Sequence, residues 1–342
     1  MSNRIRLVII TATNIRTSTG SNSTVLNLLE NLDPKKYHIS IALIDDLIPK
    51  RLIISQKKLS KKPNYISFEK IKNHKRVSNI YLLSTSSIKH IKKMFDVAII
   101  TIYNEFGEDG KILGLLDLAG IPYLSPELSS SVIAFDKEFT KAVLTYHGLL
   151  VPKSVEINKE SQDLNHLSYP LIVKPSANGA SYGVNLVKNE QDLLAAIKQA
   201  FDFSSEVLIE EYIKGEEFTV GVVGPYTNPK ALPVVMIRSK NELFDYEAKY
   251  VTGKAEEICP APIKKEVELA LQQNAIKVYQ AIKAKNHSRV DMIKKGNDIY
   301  VLEINSFPGL LSKSLFPKEL NAAGISLAEF LDMSIEEKLK KK

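Results

Sequence analysis

Two acidic residues, Asp291 and Glu303, stand where they could bind one metal ion together. Each lies in a run of alternating apolar and polar residues, and the Gly-Asn-Asp break between the runs is typical of a β-hairpin. If residues 296–298 form a three-residue loop, Asp291 pairs with Glu303 and Arg289 pairs with Asn305. Because side chains alternate between the two faces of a strand, all four side chains are predicted to share one face.

Carboxylates directly opposite each other repel, and a divalent cation between them would turn this repulsion into attraction. Carboxylate and amide oxygens suit Mg²⁺, which usually completes its shell with water and substrate phosphates. A solvent-facing polar side of an ordinary hairpin explains the same residues, and for this segment alone it is the better explanation. The choice between the two depends on the rest of the chain.

A second candidate is the loop of small residues at 175–183, which could enclose phosphate groups. Lys174 stands at its entrance, and Gly179, Ser181 and Gly183 lie within it. Such a strand–loop–strand segment can direct backbone N–H groups at an anion. It is not a Walker A loop, because the Gly-Lys-Ser/Thr sequence and the following helix are missing. Taken alone, a simple hairpin turn fits it better.

Composition restricts the class of protein. Of the 342 residues, 44% are hydrophobic and 25% are charged, which is the ordinary balance of a globular protein with two or three domains. Cys259 is the single cysteine, which excludes a disulfide framework and argues against structural zinc. No run approaches the roughly 18 apolar residues of a membrane span, and the N-terminus lacks a signal-peptide pattern. A cytoplasmic protein without a membrane partner is predicted.

The net charge of +7 is unevenly distributed, since residues 50–93 contain thirteen Lys or Arg residues and one acid. Basic runs can attract nucleic acid. Here no aromatic residues are regularly interleaved with the lysines, and no recognition motif accompanies them. We interpret the run as a solvated surface that steers anionic substrates, and we expect no nucleic-acid partner.

The elements that must hold these residues begin with a βαβ pattern: strands at 5–12 and 37–45 and a short helix at 25–32. The polar segment 13–24 is predicted to be a ligand loop, because it follows the carboxyl end of a strand. Residues 46–93 give no clear pattern. The next predicted elements are a strand at 96–102, a helix at 111–119, a short strand at 121–123 and a helix pair at 126–147.

The second half of the chain is richer in strands, predicted at 171–174, 184–187, 206–213, 217–223 and 231–238. Asn189 is predicted to cap a helix over 189–201, and Pro262 to open a long helix. Between Ser239 and Pro262 lies a long polar loop, and loops of this length inside a compact domain are usually functional. After the hairpin, a turn is predicted at 306–315 and a closing helix at 325–339.

In this order the motifs closely resemble those of D-alanine–D-alanine ligases, members of the ATP-grasp fold. The matching segments are 173–176 with Gly179, Ser181 and Gly183, then 210–213, 245–250, 259–261, 289–291, 302–309 and 314–317. The resemblance is strong from about Gly107 onward and weak before it. It implies a mixed α/β and α+β fold with a parallel α/β domain at 1–125 on the first-substrate side. A central ATP-grasp subdomain at 126–213 and a C-terminal one at 214–342 are expected to clasp ATP.

The resemblance also implies an ATP-dependent carboxylate–amine ligase. Such an enzyme converts a carboxylate into an acyl phosphate, which an amine attacks to form a dipeptide-like amide with release of ADP and phosphate. The implied cofactors are ATP and Mg²⁺, or Mn²⁺ in its place. Amino acids or other small carboxylic acids are the implied substrates, and a homodimer is the implied assembly.

Residue roles carry over from the family by position. The metal ligands are Asp291, Glu303 and Asn305. Phosphates are bound by Lys137 and Lys174 with the loop residues Gly179, Ala180 and Ser181. The adenine lies at Glu210, Glu211 and Ile213, and the ribose at Glu217. Arg289 and the backbone at Gly309 stabilise the transferring phosphoryl group and the tetrahedral intermediate. Lys249, Tyr250, Ser314 and Leu315 form the lid and the second amino-acid site.

Three departures from the family pattern fall on the first-substrate subsite. The segment 13–24 contains no acid to hold an ammonium group, Ala180 replaces a serine, and Tyr103 stands where a histidine is common. An unpaired buried ammonium would be costly, so the first substrate is hypothesised to differ from free D-alanine. A specialised ligase of peptide or natural-product biosynthesis is therefore one alternative. A non-catalytic ATP-binding relative is another, against which the complete metal and phosphate groups argue.

Overall fold

The computed structural model describes residues 4–12, 15–44, 70–82, 92–160, 164, 167–179, 182–239 and 255–340. The chain divides into two compact units. The first is Met1–Leu128 together with Gly309–Lys342, and the second is the continuous stretch Ser129–Pro308. The predicted division into three domains stays a prediction. None of the described helices is both long and apolar enough to cross a membrane.

Helices and strands are numbered here in chain order. The helices are α1 (Ile15–Asn31), α2 (Lys111–Ala119), α3 (Leu128–Phe135), α4 (Lys137–Tyr146), α5 (Glu190–Ala200), α6 (Lys265–Ala281), α7 (Leu315–Ala322) and α8 (Leu327–Lys340). The strands are β1 (Ile5–Ala12), β2 (Tyr37–Ile44), β3 (Val77–Leu82), β4 (Val97–Ile100), β5 (Tyr123–Leu124), β6 (Ser154–Asn158), β7 (Leu171–Pro175), β8 (Asn185–Val187), β9 (Glu206–Glu211), β10 (Glu216–Gly224), β11 (Lys230–Ala231), β12 (Val235–Ser239), β13 (Ala255–Ile258), β14 (Asn286–Lys295) and β15 (Asp298–Asn305).

The first unit contains a five-stranded parallel sheet with the order β3-β2-β1-β4-β5. Its central strand, β1, pairs in parallel with β2 and β4. Residues 7–12 of β1 are all buried, because a parallel strand is covered on both faces and reads as a continuous apolar run. The predicted βαβ start is therefore confirmed.

Three features of the first unit differ from the sequence predictions. Helix α1 begins at Ile15 instead of at residue 25, so most of the predicted ligand loop is helical. Ser21 and Thr24 are buried, and tertiary packing thus outweighs their preference for loops and caps. Strand β3 and helix α7 were missed. The predicted turn at 306–315 was followed by no predicted element before residue 325, whereas Pro317 lies in the first turn of α7, where proline is tolerated.

The second unit contains two antiparallel sheets. The smaller sheet has the order β6-β9-β7-β8, and α5 packs on it through Leu193, Ala196 and Ile197. The predicted cap of α5 is confirmed, since the Asn189 side chain accepts a hydrogen bond from the backbone N–H of Asp192. Strand β6, at the edge of this sheet, was not predicted.

The larger sheet has the order β13-β12-β10-β14-β15, with β11 paired to β10. Helix α6 covers it through a core that includes Leu271, Val278 and Tyr279. The predicted strand 231–238 is two strands, β11 and β12, and β13 lies inside the predicted long loop. The helix predicted to open at Pro262 begins at Lys265 instead, because the N–H of Ala261 bonds to Val234 O and keeps that segment against the sheet.

The turn of the β14–β15 hairpin differs from the predicted turn. The pairing of Asp291 with Glu303 is the predicted one. Lys295 pairs with Asp298, so the loop has two residues rather than three. A β-bulge at Leu302 then shifts the register, and Asp291 pairs with Glu303 as predicted. Without the bulge, alternation would place Leu302 opposite Asp291 and turn Glu303 to the other face. The bulge therefore brings the two carboxylates to the same face.

Candidate active site

A cleft within the second unit brings together eight of the predicted site residues. It is lined by both antiparallel sheets and by the N-terminus of α4. The predicted site residues in its wall are Lys137, Lys174, Glu210, Glu211, Ile213, Glu217, Asp291 and Glu303. Apolar side chains, including Ile172, Val184 and Leu302, line it as well. This mixture suits a ligand that has an apolar ring and anionic groups.

Asp291, Arg289 and Asn305 form a hydrogen-bonded cluster on the hairpin. Arg289 donates from Nε to Asp291 Oδ1 and from Nη2 to Asp291 Oδ2, both at 3.0 Å. Asn305 Nδ2 donates to Asp291 Oδ2 at 3.1 Å. The side chains of Arg289 and Asp291 are buried. The predicted placement of these residues on one face is confirmed, while their roles stay predictions.

Thr219 belongs to the same cluster, and sequence reasoning missed it. It lies on β10 directly opposite Asp291. Its hydroxyl donates to Asp291 Oδ1 at 2.5 Å and accepts from Arg289 Nε at 2.9 Å. Side-chain alternation along β10 could have identified it, because Thr219 is two residues after the predicted ribose ligand Glu217.

Lys137 lies between the hairpin and the small-residue loop. Its Nζ donates to Asn178 O at 2.6 Å and lies 3.8 Å from Glu303 Oε2. Asp136 caps α4 by accepting from Phe139 N, and Lys137 N donates to Ser176 O at 3.0 Å. These bonds fix the start of α4 against the loop, so an ammonium group stands beside a carboxylate at the cleft wall.

The small-residue loop is anchored at its far end by an aromatic pair. Tyr182 stacks on Phe203, with ring centroids 5.9 Å apart and an interplanar angle of 19°. Gly183 has a φ of 73°, and a Cβ there would lie 2.8 Å from Phe203 and 3.0 Å from Pro175. Only glycine fits this close approach. Gly179 is at the other end of the turn, whereas the predicted residues Ala180 and Ser181 lie outside the described residues.

Glu210 is a buried carboxylate between two lysines. Its Oε1 is 2.7 Å from Lys141 Nζ, and its Oε2 is 2.7 Å from Lys174 Nζ. Burial acts to raise the pKa of Glu210, but the ammonium groups of Lys174 and Lys141 outweigh it and the net shift is downward. Glu210 is therefore ionised. Sequence reasoning missed Lys141, and the one signal that could have found it is its spacing from Lys137 on one helix face.

The end of β9 and the two residues after it line the cleft with Glu211, Tyr212 and Ile213. Glu211 Oε1 accepts from Lys153 N at 2.8 Å, which fixes the end of β9. Ile213 is buried and offers an apolar contact at the same wall. Glu217 follows on β10 and lines the cleft too. The structure thus brings the predicted adenine and ribose residues together.

Four predicted site residues belong to the first unit. The Tyr103 hydroxyl is hydrogen-bonded to Thr24 Oγ1 at 3.0 Å. A Cβ on Gly309 would lie 2.9 Å from Ser314 Oγ, so this backbone passes close to that side chain. Ser314 is the N-cap residue of α7, and Leu315 is its buried first residue. Lys249 and Tyr250, the predicted lid residues, lie outside the described part of the chain.

The donor set at the hairpin fits a hard divalent cation. Two carboxylates and one amide supply oxygen ligands of the kind that Mg²⁺ prefers. Among the described residues, no group of three or more His, Cys, Asp or Glu side chains could hold a metal by itself. A cation at Asp291, Glu303 and Asn305 would therefore need further oxygen ligands, which phosphate groups in the same cleft could provide.

Comparisons with known proteins identify relatives of the whole arrangement. The family model described as D-ala D-ala ligase C-terminus matches residues 137–336. D-alanine–D-alanine ligase A of Bacillus cereus is 39% identical over 276 residues, which cover 79% of this chain and 89% of that protein.

Solved structures agree with the sequence matches. The Bacillus anthracis D-alanine–D-alanine ligase complexed with ATP has a TM-score of 0.76 and 30% identity, with 99% of this chain and 98% of that chain covered. The VanG D-Ala:D-Ser ligase of Enterococcus faecalis has a TM-score of 0.80 and 27% identity, with 98% and 99% covered. The predicted combination of a parallel α/β domain and α+β sheets is confirmed.

Proposed function

Because this chain belongs to the D-alanine–D-alanine ligase family, we propose that it uses ATP to join two molecules of D-alanine. The carboxylate of the first molecule accepts the γ-phosphoryl group of ATP, and ADP leaves. The amine of the second molecule then attacks the acyl carbon, and phosphate leaves as the amide bond forms. The observation that carries this proposal is the placement of Lys137, Lys174, Asp291 and Glu303 around one cleft.

The cleft residues are suited to phosphoryl transfer, which requires alignment and charge neutralisation more than covalent chemistry from the protein. Lys137 and Lys174 bind phosphate oxygens. Arg289 stabilises the charge that develops on the transferring group. Its guanidinium is held by hydrogen bonds to Asp291 and Thr219, so protein contacts fix its orientation.

Asp291, Glu303 and Asn305 hold Mg²⁺, or Mn²⁺ in its place. When bound, the ion supplies positive charge that offsets the phosphate oxygens. The chain's own part is to keep the ligand side chains oriented. Thr219 and Arg289 fix the Asp291 carboxylate, and the Lys137 ammonium attracts Glu303 across 3.8 Å.

The nucleoside part of ATP lies at the end of β9. Glu210, Glu211 and Ile213 hold the adenine, and Glu217 on β10 binds the ribose. The buried Ile213 supplies the apolar surface that an adenine ring requires. These assignments are supported by the occurrence of all four residues in one wall.

The amino-acid side of the reaction depends on residues outside this cleft. The backbone at Gly309 stabilises the tetrahedral intermediate, and Ser314 and Leu315 bind the second D-alanine. Lys249 and Tyr250 are assigned to the lid by their match to the family, since an acyl phosphate must be protected from water. Tyr103 belongs to the first-substrate pocket. We further propose that the enzyme is a cytoplasmic homodimer.

A different first substrate is not supported by the relatives, because each of them is named for D-alanine. The positions Ala180 and Tyr103 nevertheless make substrate choice a useful part of the test. The purified protein is incubated with ATP, Mg²⁺ and D-alanine, and ADP and products are measured by coupled assay and mass spectrometry. L-Alanine, D-serine and D-lactate are supplied in parallel. D-Alanine-dependent ADP release with the D-alanine dipeptide as product is expected; ADP release only with another acid would contradict the proposal.

A further inference from the structure

Lys141 has no part in the reaction as described, yet it is buried beside the nucleotide cleft. Its Nζ lies 2.7 Å from Glu210 Oε1. The side chains of Lys141 and Glu210 are only 5% and 3% exposed, so solvent screens their attraction weakly. Burying an ammonium group is costly unless a partner compensates, and Glu210 is the partner of Lys141.

Lys141 and Lys137 are four residues apart on α4 and lie on one helix face. Lys137 lines the cleft, whereas Lys141 is not among the lining residues. Lys141 is therefore behind the wall, where it can act on a ligand only through Glu210. Glu210 in turn binds Lys174, which does line the cleft.

The charges of this group explain why two lysines share one acid. Glu210 and Lys174 alone would form a neutral buried pair, and a phosphate would have to compete with the carboxylate for the Lys174 ammonium. With Lys141 present, the group of three carries one positive charge. If Lys174 turned away from Glu210, the Glu210 carboxylate would still be paired with Lys141.

We propose that Lys141 is a positioning residue for nucleotide binding: it shares the Glu210 carboxylate so that Lys174 can turn to the phosphates of ATP. This inference rests on the proposed function, because it takes the phosphates to bind at Lys174. Glu210 remains held by Lys141 throughout, so its contribution to the wall of the cleft is kept.

The test compares binding of ATP and adenosine, because their affinity ratio isolates the phosphate contribution. Calorimetry is done on the full chain with Mg²⁺ for wild type, Lys141→Met, Glu210→Gln and the double variant. Lys198→Met, on the exposed side of α5, is the matched control. Thermal unfolding of every variant confirms that it is folded.

In Lys141→Met the ratio of ATP to adenosine affinity is expected to fall about 10- to 100-fold, because Glu210 then has Lys174 as its remaining partner and holds that ammonium away from the phosphates. The ratio should recover in the double variant and rise in Glu210→Gln, where Lys174 is released. A lysine that only filled space would lower both affinities and leave the ratio unchanged, which would overturn the inference. If Lys141→Met does not fold, a falling ratio in Glu210→Gln would overturn it instead. Wild-type protein that fails to bind ATP would refute the proposed function.

Discussion

The carboxylate of Asp291 is oriented by three neighbouring side chains. Arg289 donates to both of its oxygens, Thr219 donates to Oδ1 and Asn305 donates to Oδ2. Because Asp291, Arg289 and Thr219 are buried, the loss of one of them leaves a buried polar group unsatisfied, which costs more than the loss of an exposed hydrogen bond.

Substitution of Thr219 by valine is expected to weaken both the fold and the reaction. The change removes a hydroxyl between Asp291 and Arg289 while preserving the shape of the side chain. We expect a loss of about 1–3 kcal/mol in the free energy of unfolding, measured by urea denaturation, together with slower turnover. Thr219→Ser keeps the hydroxyl and should behave like wild type. Equal losses in both variants would indicate that the methyl group matters instead.

Glu303→Gln is expected to remove activity without unfolding the protein. The amide is similar in size but lacks the charge that a divalent cation and the transferring phosphoryl group require. We expect turnover to fall by about 100-fold or more, with an unchanged circular dichroism spectrum. Glu268→Gln on α6 provides the same chemical change away from the cleft and should remain active. Undiminished turnover in Glu303→Gln would rule out this residue as an essential metal ligand.

The affinity for ATP is expected to decline at alkaline pH earlier than ordinary lysines would allow. Burial lowers the pKa of Lys141, and the attraction of Glu210 offsets this only in part, while Lys174 adds repulsion. Glu138 on the same helix favours the charged form weakly. As pH rises, Lys141 therefore loses its proton at a lower pH than an ordinary lysine would. Glu210 then has only the Lys174 ammonium as a charged partner in this group of three. ATP titrations across alkaline pH should show a decline in wild type that is absent from Lys141→Met, whose affinity is already low.

At the scale of elements, the prediction for the hairpin was correct in the pairing of its carboxylates and wrong in the length of its turn. Alternation correctly predicted that Asp291 and Glu303 share a face, because pairing is specified by the buried side of each strand. The turn length was wrong, and a bulge at Leu302 compensated for it. Bulges depend on local packing that a single sequence does not reveal.

Other elements were missed where tertiary packing outweighs local preference. Ser21 and Thr24 are poor helix formers, yet they are buried within α1. Thr219 and Lys141 were missed for a related reason, since each acts through a partner that is distant in sequence. Asp291 and Thr219 are 72 residues apart, and Lys141 and Glu210 are 69 apart. The sequence shows the types of these residues, but their partners can be identified only from the fold.

The aromatic pair Tyr182 and Phe203 is expected to stabilise the small-residue loop, which is proposed to bind phosphates. Such stacking contributes about 0.5–1.5 kcal/mol, so Phe203→Ala should raise the KM for ATP by about 2- to 10-fold with little change in kcat. Steady-state kinetics at varied ATP concentration measures this. Leu194→Ala, an exposed change on α5, is the control. A reduced kcat with unchanged KM would show that the pair acts on the chemical step.

At the scale of the whole molecule, the second unit interrupts the first. The first unit is built from two separate segments, whereas Ser129–Pro308 is continuous. The closing segment is bonded into the first unit, because Tyr37 donates to Asp332 Oδ1 at 2.6 Å and Lys36 also binds Asp332. Helix α8 covers β5 with a lysine, Lys338, placed over the Tyr123 ring.

Residues 129–308, expressed alone, are expected to fold and bind ATP without catalysing ligation. The fragment contains two complete sheets, their helices and every residue that lines the cleft. It lacks Tyr103, Gly309, Ser314 and Leu315. Calorimetry with ATP and Mg²⁺, together with a cooperative thermal transition, checks the expectation. A fragment that shows no cooperative transition would mean that the second unit requires the first for stability.

The two-segment architecture of the first unit also sets an order of events during synthesis on the ribosome. Strands β1 to β5 emerge first, but α7 and α8 leave the exit tunnel only after the whole second unit has been translated. The parallel sheet must therefore wait without part of its cover, while the intervening unit has all of its sequence available to fold. During translation, all residues of the nucleotide cleft are therefore available before the first unit has its last segment, although the first unit begins earlier in the sequence.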